Sequence, residues 1–123
     1  MKALVVDDSR ATRMVLRRTL ADLGFDVASA SNGREALHIM AGHGSEMALA
    51  LVDWNMPEMT GLEFVRCVRA EPLFDLVRLM MVTTETEIEQ VARALEAGAN
   101  EYIMKPFTRD IVEAKLRLLG VVQ

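Results

Sequence analysis

Apolar residues follow two alternating rhythms along the chain. Short, nearly uncharged runs occur at 3–6 ("ALVV"), 48–52 ("ALALV") and 79–83 ("LMMVT"). Between and after them, apolar positions recur at helical spacing: Leu16, Leu20 and Leu23; Ala36, Leu37 and Met40; Leu62, Val65, Cys67 and Val68; Val91, Ala94 and Leu95; Val112, Leu116 and Leu119. Continuous short runs suit strands buried on both faces, and spaced positions suit helices with one apolar stripe. Two weaker runs, "VASA" at 27–30 and "EYIM" at 101–104, carry more polar residues and read as edge strands.

Start and stop signals agree with this reading. Helices are predicted over 10–23, from "SNGREALHIM", over Gly61–Ala70, over 87–97 and from Thr108 onward. Gly24 and Gly98 mark helix ends, and Asn32 with Glu35 has capping-box spacing. Five βα units in succession require parallel strands, right-handed crossovers and helices on both faces. The predicted fold is α/β: a flavodoxin-like (βα)5 three-layer sandwich with a five-stranded parallel sheet of order 2-1-3-4-5. Residues 1–123 are expected to form one domain.

Composition narrows the function. Half the residues are hydrophobic and 26% are charged, as in an ordinary globular domain. A net charge of −4 argues against nucleic acid as a partner. The longest uncharged apolar run is too short to cross a membrane. The N-terminus has no signal-peptide pattern, and a lone cysteine makes no internal disulfide, so a cytoplasmic location is expected. Cys67 is read as a small core residue and the nine methionines as core filler. His38 and His43 lack phosphotransfer or metal spacing and are placed on the surface.

In such a sheet, ligands bind outside the carboxyl ends of the strands. The residues leaving those ends are Asp7 and Asp8, Asp53, Thr83 and Lys105. Taken singly, each has an ordinary role as a cap, a turn residue, a strand residue or a surface lysine. Together they bring three acids, a hydroxyl and an amine to one crevice. Two carboxylates about 4 Å apart repel by roughly 4 kcal/mol at an effective dielectric near 20. Lys105 offers one counter-charge, and an all-oxygen ligand set suits a hard divalent ion such as Mg²⁺. A carboxylate can also act as a nucleophile toward phosphorus. Phosphoryl transfer needs little beyond a nucleophile, a metal, a cation and a hydrogen-bond donor. Asp53, Mg²⁺ on Asp8, Lys105 and Thr83 would fill those roles. Spacing does not say which acid is the nucleophile, but the central strand favours Asp53.

The segments "VVDDS", "LVDWNMPEMTG", "MVTTE" and "YIMKPF" resemble, in order and spacing, the motifs of two-component response-regulator receiver domains. The resemblance covers essentially the whole chain and is closest to the stand-alone chemotaxis regulators of the CheY type. It implies that Asp53 accepts a phosphoryl group from a sensor histidine kinase or a histidine phosphotransfer protein. Mg²⁺, or Mn²⁺ in its place, would be bound by Asp8, Asp53 and the backbone carbonyl of Asn55, with Asp7 acting through water. Lys105, Thr83 and Tyr102 would bind the phosphoryl group and carry the switch, and a cis Lys105–Pro106 bond is implied. Asn55 and Glu85 would tune dephosphorylation. The downstream protein would bind the face built from the fourth helix, fifth strand and fifth helix, and the chain would be a monomer. The resemblance implies no separate enzymatic activity beyond self-phosphorylation and autodephosphorylation.

This sequence departs from the enteric chemotaxis pattern in two places. The start of the fourth helix carries Glu85, Glu87 and Glu89 and no lysine, which sets the flagellar motor in doubt as the target. Ser9 stands where a bulky aromatic often follows the acid pair. Arg10, Arg13 and Arg17 form a basic row on the first helix, either a solvated face or a docking patch for an acidic partner. A phosphorelay intermediate, a phosphate sink, or a receiver excised from a larger regulator are variants of the same reading. The enzymatic alternative is a Mg²⁺-dependent aspartate-nucleophile phosphatase. Asn55 counts against it, because that chemistry wants a second acid two residues after the nucleophile.

Overall fold

The computed structural model describes residues 1–122. The strands are β1 (Lys2–Val6), β2 (Asp26–Ala30), β3 (Met47–Asp53), β4 (Arg78–Thr83) and β5 (Glu101–Met104). The helices are α1 (Arg10–Asp22), α2 (Gly33–His43), α3 (Gly61–Ala70), α4 (Val91–Ala97) and α5 (Arg109–Leu118). Short 3₁₀ segments occupy Gly44–Glu46, Pro72–Phe74 and Glu85–Gln90.

All four strand pairings are parallel and the order is β2-β1-β3-β4-β5. Alternate residues of each strand face opposite layers. Leu4, Val6, Ala50, Val52, Leu79 and Met81 pack with Ala36 and Met40 of α2, Phe64 and Val65 of α3 and Ala94 of α4. Val5, Leu49, Leu51, Met80, Val82 and Ile103 pack with Leu16 and Leu20 of α1 and Val112 and Leu116 of α5. Register aligns the strand ends. Val6 lies opposite Ala30 and Val52, Asp53 opposite Val82, and Thr83 opposite Met104. Residues immediately after these positions therefore emerge on one edge of the sheet.

Several local expectations change. Cys67 is exposed and not part of the core. The buried positions of α3 are Gly61, Phe64, Val65 and Val68, a strict i, i+3, i+4, i+7 stripe that leaves Cys67 out of phase. Leu95 is likewise 41% exposed, because α4 buries Val91 and Ala94 instead. Of the methionines, Met40, Met47, Met80 and Met81 are core residues, whereas Met1, Met14 and Met104 are exposed. The expected capping box at Asn32 is half formed. Asn32 accepts from the Glu35 amide at 2.8 Å, but the Glu35 carboxylate turns to Ser31. The predicted helix over 87–97 is α-helical only from Val91; the Glu85–Gln90 stretch is a 3₁₀ segment. A full capping box does form at Thr60 and Glu63, where α3 begins.

Arg69 ties α3 to the far end of α4. Its guanidinium donates to the carbonyls of Gly98 (2.9 Å), Phe74 (2.9 Å) and Val77 (2.7 Å), and to Asn100 Oδ1 (2.9 Å). Asn100 Oδ1 also accepts from the Leu79 amide at the start of β4. Gly98 has φ of 122°, and a Cβ there would meet Arg69 Cγ at 2.5 Å, so only glycine fits. Among the described residues, no helix is long and apolar enough to cross a membrane.

Candidate functional site

The acid cluster sits where β1 and β3 end. Asp7 follows the last residue of β1, and its amide donates to the Ala30 carbonyl, continuing the sheet. Asp53 is the last residue of β3. Both are almost fully buried, whereas Asp8 is exposed at the mouth. Asp7, Asp8 and Asp53 each offer one carboxylate oxygen, and these three lie within 4.8 Å of one another. Lys105 follows β5, and its amide donates to the Thr83 carbonyl. Its ammonium reaches Asp7 Oδ2 at 3.3 Å and Asp53 Oδ1 at 3.4 Å. The Lys105–Pro106 peptide bond is cis.

Local turns fix this geometry. Ser9 caps α1 through its hydroxyl, and its own amide donates to Asp7 Oδ1 at 2.8 Å. Behind β3, the Trp54 amide donates to Val82 and the Gly61 amide to Trp54. Gly61 lies so close to the strand exit that a Cβ there would stand 3.0 Å from Trp54 Cα and 3.1 Å from the Asp53 carbonyl oxygen.

The electrostatics are unbalanced. Burial, then the neighbouring Asp7 carboxylate, pushes the Asp53 carboxyl up to about 6; Lys105 and a backbone hydrogen bond from Asn55 pull it only partly back. Burial works against the Lys105 ammonium, but the charges of Asp53 and Asp7 outweigh it and hold Lys105 above its ordinary value. One lysine does not neutralise three acids. Asp7 Oδ2 is buried without a hydrogen-bond partner, its contact with Lys105 lacking hydrogen-bond geometry. A buried carboxylate oxygen left open within an all-oxygen cluster fits a hard divalent cation.

The other residues singled out in the sequence lie around this centre. Thr83 is fully buried, and its hydroxyl donates to the Thr84 carbonyl at 3.1 Å rather than to an acid. Asn55 and Glu85 are exposed at the rim. Tyr102 is half-buried on β5, with Lys115 Nζ 4.7 Å above its ring centroid. Lys115 is held there by Glu101 at 2.9 Å.

Two participants were missed in the sequence. Glu87, expected only as one of three acids at the start of the fourth helix, is buried and accepts from both the amide and the hydroxyl of Thr84. The signal was present, since Thr84 and Glu87 have capping-box spacing directly after β4. Arg13 donates to the Asp7 carbonyl at 2.7 Å, a contact for which the sequence offers no local signal.

The chain is similar to known proteins over nearly its whole length. The family model described as response regulator receiver domain matches residues 3–117. The chain is 45% identical over 117 residues to a chemotaxis protein CheY homolog of Campylobacter jejuni, spanning 94% of this chain and 89% of that protein. It is 43% identical over 120 residues to chemotaxis protein CheY1 of Helicobacter pylori, spanning 97% and 96%. The high-resolution structure of the chemotaxis response regulator CheY4 of Vibrio cholerae superposes with a TM-score of 0.86 at 36% identity, covering 96% of this chain and 97% of that one. The strand order, the acid cluster at the strand ends and these matches lead to one conclusion: the chain belongs to the response regulator receiver family and is CheY-like within it.

Proposed function

We propose that this receiver is a phosphorylation switch in which Asp53 is the phosphoacceptor. The observation that carries the reading is the cluster of buried Asp7 and Asp53 with exposed Asp8 at its mouth, closed on one side by Lys105. An Asp53 carboxylate oxygen attacks the phosphorus of a phosphohistidine, the P–N bond breaks, and the imidazole leaves and takes up a proton. Asp8, Asp53 and the Asn55 carbonyl would hold Mg²⁺, with Asp7 acting through water; the ion supplies positive charge to the phosphoryl oxygens when bound. Lys105 binds another phosphoryl oxygen. Water later attacks the phosphorus and releases inorganic phosphate, at a rate tuned by Asn55 and Glu85 at the rim.

The switch follows from differential contacts. The Thr83 hydroxyl now bonds the Thr84 carbonyl. A phosphoryl group on Asp53 offers it a charged acceptor, and Tyr102 fills the space Thr83 leaves. Phosphorylation moves the equilibrium only by its different interaction with the two arrangements. The output surface is the face of α4, β5 and α5, read by a downstream protein. The names of the CheY relatives support a role in chemotaxis, with a sensor histidine kinase or phosphotransfer protein as donor. Stoichiometric labelling by acetyl phosphate tests the reading. Labelling that requires Mg²⁺ and disappears in Asp53→Asn supports it; labelling that persists in that variant overturns it.

A further inference from the structure

Of the three acids that follow β4, Glu85 and Glu89 face solvent and Glu87 does not. Glu87 is only 9% exposed, while the adjacent Ile88 is half-buried. A carboxylate drawn further from water than a neighbouring isoleucine inverts the usual order of burial, and it costs free energy unless hydrogen bonds replace the lost water. Capping alone does not require it. The box at Thr60 and Glu63 does the same work for α3 with Glu63 exposed.

The contacts at Thr84 show what the burial secures. Both the Thr84 amide (3.0 Å) and its hydroxyl (2.8 Å) donate to Glu87 Oε1. The Glu87 amide donates back to the Thr84 carbonyl at 3.0 Å. That same carbonyl is the acceptor for the Thr83 hydroxyl at 3.1 Å. Thr83 is fully buried, so its hydroxyl needs an acceptor inside the protein. The Thr83 backbone does not follow Thr84, because its own carbonyl accepts from the Lys105 amide and ties it to β5. The hydroxyl keeps this acceptor only while Thr84 stays in place, and Glu87 holds Thr84 through three hydrogen bonds.

We infer that Glu87 is a positioning residue for the switch: by pinning Thr84 it keeps the Thr83 hydroxyl on the Thr84 carbonyl, and this cap opens when the hydroxyl turns to a phosphoryl group. The inference rests on the reading of Asp53 as phosphoacceptor and of Thr83 as the group that meets the phosphoryl oxygen. A contact made in one arrangement only biases the equilibrium toward that arrangement. Glu87 therefore sets how rarely the unphosphorylated chain visits the active arrangement. A cap that stayed closed in both arrangements would shift nothing, however strong it was.

Two measurements on the full chain test this. The first uses neither metal nor donor: the Thr83 χ1 angle, read by NMR from three-bond couplings to its Cγ2 methyl. Glu87→Ala should change the averaged couplings, and Glu87→Gln, whose amide oxygen still accepts from Thr84, should restore them. Unchanged couplings in Glu87→Ala overturn the inference. The second is a titration with beryllofluoride in Mg²⁺, a noncovalent stand-in for a phosphoryl group on a carboxylate, followed by the fluorescence of Trp54, the residue after Asp53. The apparent dissociation constant varies inversely with the populated fraction of the competent state. Glu87→Ala should tighten binding about fivefold, the factor that loss of one cap is worth, with Glu87→Gln within about twofold of the unmodified chain. Leu20→Ala, a costlier change in the α1 core, should not tighten it. Equal tightening by Leu20→Ala, or none by Glu87→Ala, overturns the inference. Beryllofluoride that fails to bind the unmodified chain, or still binds Asp53→Asn, counts against the phosphoacceptor reading instead, and the Thr83 couplings then decide the role of Glu87.

Discussion

Lys105 Nζ lies 3.4 Å from Asp53 Oδ1, although the two residues are 52 positions apart in sequence. The pair is half of a charge problem. The same ammonium also faces Asp7, and Asp8 adds a third carboxylate within reach. Most of the expected behaviour of the metal-free protein follows from that shortage of positive charge.

Asp53 should make the metal-free protein less stable as pH rises. Folded, its carboxyl titrates at about 6; unfolded, it returns to 3.8. Between those values the folded state holds more protons, so this group's stabilising contribution declines with rising pH and is gone above about pH 6. At 1.36 kcal/mol per pH unit, the effect is at most roughly 3 kcal/mol. Asp53→Asn is expected to be more stable than the unmodified chain at pH 8, with the gap shrinking toward pH 4. Urea denaturation in EDTA at both pH values measures it; a gap independent of pH would contradict the assignment.

Lys105→Met should act in the opposite direction. It leaves two buried carboxylates without their cation, and the loss is reduced because the lysine is 28% exposed. A destabilisation of about 1–2 kcal/mol without metal is expected. Saturating Mg²⁺ should restore more stability to this variant than to the unmodified chain, since a competing cation has been removed. Thermal melts with and without Mg²⁺ decide it, and equal metal-induced shifts would argue that Lys105 does not face the metal site.

Gly61→Ala should disturb the site through the backbone. The added methyl meets Trp54 Cα and the Asp53 carbonyl oxygen, neither of which can yield without moving the end of β3. Overpacking of this kind costs about 1–3 kcal/mol. A fall in Mg²⁺ affinity larger than the one produced by an equally destabilising core change, such as Leu16→Ala, would show that the strand exit sets carboxylate placement.

Glu87→Ala should loosen the stretch after β4. It removes the acceptor for the Thr84 amide and hydroxyl, a loss of about 1 kcal/mol for a helix cap. Amide exchange of residues 85–90 should accelerate while that of β3 stays unchanged. Unchanged exchange in the segment would mean the buried carboxylate is not what orders it.

The elements were readable where one physical signal dominated. Uncharged runs such as "ALALV" had to be buried strands, and each ended on a polar residue whose place at the sheet edge followed from topology. Asp7, Asp8, Asp53 and Lys105 could therefore be brought together from sequence alone. Cys67 and Leu95 misled because hydrophobicity was read without helical phase; each lies beside a buried stripe rather than in it. The burial of Glu87 went unread for the converse reason: it depends on hydrogen-bond partners that a charged residue type does not announce. The Thr83 hydroxyl and the Arg13 contact depend on side-chain orientation, to which residue type is blind.

The clamp made by Arg69 has a mechanical consequence. One end of α4 is riveted at Gly98 to the foot of β4. The other end continues into a 3₁₀ segment secured by the Thr84–Glu87 cap. α4 is thus held at both ends, by Arg69 at the end remote from Asp53 and by the Thr84–Glu87 cap at the end adjoining Thr83. Any displacement at the Thr83 end would therefore be converted into a tilt about the arginine rather than a translation of the helix.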